Sequence, residues 1–127
     1  MTSFSLTARI VLTLCFMALL MLVSLIPGHS RSGDSGFFWL IANTPTLIQK
    51  ALHVCFYGAL TLLLAWTLED IQPETSRLLI ALLIAVAFGT VMEWCQTKVP
   101  GRFGTVYDVA LNAVGAALGL LAAVILL

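Results

Sequence analysis

Residues 47–68 read LIQKALHVCFYGALTLLLAWTL, and this stretch decides the fold. It is slightly longer than the roughly 20 helical residues that cross a hydrocarbon core, and it is apolar on every face except one. That face carries Lys50, His53 and Tyr57, spaced i, i+3, i+7, which is one stripe of a helix. A barrel strand would be shorter and would alternate, so the stretch is read as a transmembrane helix.

Three further runs have the same character: Ile10 to Ile26, Leu78 to Gln96, and Val106 to Leu127. With 61% hydrophobic and 9% charged residues over 127 positions, the composition excludes an ordinary soluble domain. The chain is therefore expected to be an all-α, polytopic membrane protein. It should form a single domain, 1–127, whose four-helix bundle spans about 10–26, 45–68, 74–97 and 105–127. The first run resembles a secretory signal, with Arg9 before it and Pro27-Gly28 after it. It is longer than a typical h-region and lacks a small-x-small cleavage site near Ser24 to Gly28, so it is read as a retained anchor. No nucleotide-binding loop, coiled coil or repeat is present, and nothing points to nucleic acid.

Boundary signals refine the spans. Thr44-Pro45 reads as an N-cap followed by proline at the first helical position. Pro73-Glu74 opens the third helix, Val99-Pro100-Gly101 stops it, and Thr105-x-x-Asp108 has the form of a capping box for the fourth. The connection from Gly28 to Asn43 ends in Phe37-Phe38-Trp39-Leu40-Ile41, which is expected along the membrane interface. Trp39, Trp66 and Trp94 fall near span ends as interfacial anchors. Cys15, Cys55 and Cys95 are scattered singly and are read as small core residues. One deep histidine and no cysteine pair give no metal site and no cofactor.

Four crossings place the N-terminus, the Glu69 to Ser76 loop and the C-terminus on one side of the membrane. Lys50 and His53 lie early in the second helix, Glu93 and Gln96 late in the third, and Asp108 and Asn112 early in the fourth. All fall at the opposite face, with Arg102 in the turn between the last two helices. Glu93 and Gln96 are i, i+3; Asp108, Asn112, Gly115 and Gly119 are i, i+4, i+7, i+11. Polar stripes that face lipid only at a cost should face one another, giving a polar pocket at one membrane face. At about 1.5 Å per residue, His53 and Asn112 would reach roughly 9 Å below the interface. The helix macrodipole disfavours an anion near a C-terminus, so Glu93 needs a partner such as Lys50 or Arg102. Gly115-x-x-x-Gly119 is read as a close-packing motif.

The ordered set Lys50-x-x-His53-x-x-x-Tyr57, Glu93-x-x-Gln96, Pro100-x-Arg102 and Asp108-x-x-x-Asn112-x-x-Gly115-x-x-x-Gly119 resembles the VanZ-like family of small membrane proteins, over residues 50–119. Gln49 departs from the family pattern, which often has an acidic residue before the lysine. The resemblance implies a bacterial cytoplasmic membrane, an envelope process and an association with teicoplanin resistance, without implying a reaction.

Several structural alternatives stand beside a functional pocket. The charged set can serve as an ion-pair network holding three helices in register. Lys50 can snorkel, Asp108 can cap its helix, and His53 can be a neutral histidine satisfied by Gln96 or Asn112. On the functional side, Lys50 and Arg102 supply cations and Gln96 and Asn112 supply amide donors. The leading expectation is thus non-enzymatic binding of an anionic lipid or lipid-linked wall-intermediate head group by Lys50, His53, Tyr57, Glu93, Gln96, Arg102, Asp108 and Asn112. The second is an enzyme on a lipid phosphate, with Glu93 or His53 as general base. The third, a small-solute transporter, requires a polar stripe on the other side, and none is read there. A literal count of Arg31, Lys50, Lys98 and Arg102 against Arg9 and Arg77 makes the pocket cytoplasmic. Setting aside the site residues Lys50 and Arg102 leaves a tie. The envelope association of the family then favours an outward pocket with cytoplasmic termini.

Overall fold

The computed structural model describes residues 4–24, 46–98 and 106–127. These form four helices and no strand: α1 (Leu6–Ser24), α2 (Thr46–Thr67), α3 (Glu74–Gln96) and α4 (Val106–Leu126). Each is long and apolar enough to cross a membrane. Helix ends follow local chemistry. Ser5 Oγ accepts from the Ala8 N–H at 3.2 Å, so α1 begins at Leu6 rather than near Ile10. Pro73, in an extended conformation, precedes the first residue of α3 without a side-chain cap. At the other end of α3, the Thr97 N–H bonds back to the Glu93 and Trp94 carbonyls and Lys98 closes onto Cys95. Thr44-Pro45, Phe37 to Ile41, Trp39, Val99 to Gly101, Arg102 and Thr105 lie outside the described residues.

The helices run alternately up and down, as two contacts at opposite ends of α1 show. Ser24 meets Gln96 at one membrane face, and Arg9 meets Thr67 and Asp70 at the other. α2 is central and packs on the other three helices, most closely on α4, while α1 touches α3 lightly. Glycine sets the α2–α4 approach. A Cβ at Gly115 would overlap the backbone of Val54, and one at Gly119 would overlap the Gly58 carbonyl. Without a hydrophobic drive between helices in lipid, such close backbone contact is what dispersion and packing can reward.

The core is small-residue rich: Leu60, Leu64, Ala65, Ala81, Ala85, Ala116 and Ala123 are buried, with Leu20 and Tyr57. The outer surface is apolar, with Leu14, Leu83, Val114, Leu118 and Ile125 among its exposed side chains. The cysteines correct the sequence reading here. Cys15 and Cys55 are exposed, so they belong to the lipid-facing surface rather than the core, while Cys95 is half-buried. In a membrane bundle the outside is as apolar as the inside, so an apolar neighbourhood in sequence does not report burial.

Candidate functional site

Near the Ser24 end of the bundle, α2, α3 and α4 bring four of the candidate residues together. His53 Nδ1 lies 3.1 Å from Asn112 Oδ1, which accepts its proton, and 3.9 Å from Glu93 Oε1. Tyr57, one turn deeper on α2, stacks beside the His53 ring with centroids 6.4 Å apart. Glu93, Asn112 and Tyr57 are all buried, and His53 is half-buried. His53 is thus a basic group beside Glu93, and Arg102, one of the two partners expected for Glu93, lies outside the described residues.

Gly89 permits this convergence. A Cβ there would stand 2.9 Å from Tyr57 Cε1 and 3.1 Å from Asn112 Nδ2, so a side chain on α3 would push both away. Gly89 lies one turn before Glu93 on the same face of α3 and was not among the sequence candidates. A glycine four residues before a buried acid was the available signal.

The other candidates are placed differently. Lys50 is half-buried, with Nζ 4.6 Å from the centre of the Tyr107 ring, a cation–π contact that tethers the ammonium above the cluster. Gln96 is buried and donates through Nε2 to the Ser24 carbonyl at 3.0 Å, which ties α3 to the end of α1. Asp108 is half-buried in the first turn of α4. Gly115 and Gly119 lie on the α2–α4 seam, where Gly58 is their counterpart on α2.

The family model for VanZ/LLP1 matches residues 2–127, essentially the full chain. The chain belongs to the VanZ/LLP1 family. No curated protein and no solved structure matches it.

This VanZ/LLP1 chain also has a second polar cluster, on the opposite membrane face, where sequence reading found no polar stripe. Arg9 of α1 is 5% exposed despite its full charge. Its Nη1 donates to the Trp66 and Thr67 carbonyls at 3.0 and 3.2 Å, and its Nη2 lies 2.9 Å from Asp70 Oδ2. Glu69 Oε1 is 3.1 Å from Nη1, and the Thr13 and Thr67 hydroxyls are 2.6 Å apart. The last carbonyls of a helix lack intrahelical donors and carry the negative end of its dipole, so a guanidinium there serves as a cap supplied by another helix. Arg9 and Thr13 are spaced i, i+4, the signal that treating Arg9 only as a flanking charge overlooks. Leu60, Leu64, Ala65, Ala81, Ala85 and Ala116 are among the buried residues of the apolar core between the two faces.

Proposed function

We propose that this chain is a multi-pass protein of a bacterial cytoplasmic membrane whose polar pocket binds the anionic head group of an envelope lipid or lipid-linked wall intermediate. One observation carries the reading: a polar cluster of half-buried His53 with buried Tyr57, Glu93 and Asn112, near a lysine that lies over the Tyr107 ring. Buried polar groups in a membrane helix are costly and mark functional sites by default. Lys50 suits a phosphate as a point charge, and Arg102, two residues beyond Pro100, is the candidate second cation. Asp108 and Gln96 frame the same face. The association with teicoplanin resistance belongs to the family, and in this reading it follows indirectly from handling an envelope lipid.

We place the termini in the cytoplasm and the pocket outward. Arg9 and Arg77 sit in ion pairs with Glu69, Asp70 and Glu74, so they are committed to local structure as Lys50 is to its ring. Setting these cations aside together with Arg102 leaves Arg31 and Lys98 on the pocket side, so charge counting favours a cytoplasmic pocket and the outward placement rests on the envelope association of the family alone.

A catalytic version of the reading is favoured by a single distance, the 3.9 Å between His53 Nδ1 and Glu93 Oε1. That pairing suits general-base chemistry on a lipid phosphate. Binding is preferred because no activated nucleophile accompanies the pair among the described residues.

The test is the lipid that stays with the protein through mild detergent extraction, identified by mass spectrometry. Enrichment of anionic phospholipid or a lipid-linked phosphate over the bulk membrane, lost in Lys50→Ala and in Arg102→Ala, is expected. A retained set matching the bulk membrane refutes head-group binding, and a modified lipid that accumulates only with intact Glu93 favours the enzyme.

A further inference from the structure

Below Lys50 the polar cluster changes chemical character. Tyr57 and Asn112 are 2% and 1% exposed, yet Tyr57 Oη and Asn112 Nδ2 have no hydrogen-bond partner among the described residues. Buried donors are normally matched, and in lipid an unmatched one is costlier than in a soluble core. The two are neighbours, because the hydroxyl-bearing end of the Tyr57 ring and the Asn112 amide both crowd the point where Gly89 lacks a Cβ. Glu93, whose carboxylate offers several acceptor positions, shares this floor through His53.

A group that fits here must accept from Tyr57 or Asn112 and tolerate a buried carboxylate. A phosphodiester oxygen does the first but has no hydrogen to give the second. A hydroxyl does both, accepting through its lone pairs and donating its hydrogen to Glu93 or to a ring nitrogen of His53. We infer that the floor made by Tyr57, Asn112 and Gly89 holds a free hydroxyl of the head-group alcohol, as in a glycerol or a sugar carried on a phosphodiester, while the phosphate stays at the level of Lys50. This rests on the head-group reading above and narrows its ligand to hydroxyl-bearing phosphodiesters.

The test compares two lipids of equal charge. Phosphatidylglycerol carries free hydroxyls beyond its phosphodiester, whereas phosphatidylethanol carries the same phosphodiester and none. Relative affinities are read by native mass spectrometry of the full chain exchanged from nanodiscs, with phosphatidylcholine as the uncharged-overall reference. Wild type should prefer phosphatidylglycerol over phosphatidylethanol by about three- to tenfold, the worth of one neutral hydrogen bond. Tyr57→Phe should bring that ratio to within about twofold of unity while both anionic lipids still exceed phosphatidylcholine. Its melting temperature without added lipid should be unchanged or raised, since the hydroxyl removed has no partner to lose. Gly89→Ala, which crowds both donors, should lower the ratio as well.

Equal retention of both anionic lipids by wild type, each above phosphatidylcholine, overturns the hydroxyl floor and leaves head-group binding standing. No preference of either over phosphatidylcholine overturns both. A ratio unmoved by Tyr57→Phe, or a melting temperature that falls with it, overturns the assignment to Tyr57.

Discussion

Replacing Arg9 by methionine should cost this protein about 3 kcal/mol of stability, far more than a surface charge is worth. The magnitude comes from separating the contacts by environment. Glu69 and Asp70 have side chains 42% and 70% exposed, so their ion pairs with Arg9 contribute together about 0–1 kcal/mol. The bonds to the Trp66 and Thr67 carbonyls are different, because Arg9 is buried and these acceptors end α2. Hydrogen bonds from a charged donor contribute about 1.5–3 kcal/mol each, and while the Trp66 carbonyl keeps its bond from the Glu69 N–H, the Thr67 carbonyl loses its guanidinium donor at the end of α2. Methionine recovers part of the apolar packing of the arginine stem, which offsets roughly 1 kcal/mol. The assay is reversible unfolding in mixed micelles, followed by tryptophan fluorescence, with Glu69→Gln/Asp70→Asn as the companion variant. That double variant should lose less than about 1 kcal/mol. If it loses as much as Arg9→Met, or if Arg9→Met loses under about 1 kcal/mol, the carbonyl cap is not what holds α1 in place.

Other perturbations separate packing from polarity. Gly119→Ala should destabilise by about 1–3 kcal/mol in the same assay, because its Cβ meets the Gly58 carbonyl and a backbone cannot step aside as a side chain can. Thr13→Val should cost about 1 kcal/mol through the lost bond to Thr67, and the combination with Arg9→Met should be non-additive since both act on the end of α2. In a cysteine-free background, Ser32→Cys should react with an impermeant maleimide from outside intact cells and Thr75→Cys only after permeabilisation. Labelling of Thr75→Cys from outside inverts the orientation.

The four helices were legible because length and hydropathy are sufficient for a membrane span, whatever the spans pack against. What the spans pack against was harder to read. Arg9 stands at the edge of an apolar run, the ordinary position of a flanking charge, and its burial depends on carbonyls that α2 exposes 57 and 58 residues later. The cysteines misled for a related reason, since membrane proteins have no polar exterior to contrast with a core. Polar stripes carry more information, because an amide or carboxylate has few acceptable surroundings in lipid. The stripes directed attention to the α2–α3–α4 junction, where His53, Tyr57, Glu93 and Asn112 meet. Spacing did not reveal how each would be engaged. Gln96 reaches α1 rather than His53, Lys50 lies over Tyr107, and Gly89 and Gly58 bear no side chain to attract notice.

The head-group pocket is tested most directly by the affinity ratio of phosphatidylglycerol to phosphatidylcholine, measured on single bound lipids by native mass spectrometry. The account predicts a preference of about tenfold in wild type, the worth of one charge-assisted contact at a half-buried lysine, falling to within about twofold of unity in Lys50→Ala. Equal affinities in the wild-type protein would contradict it.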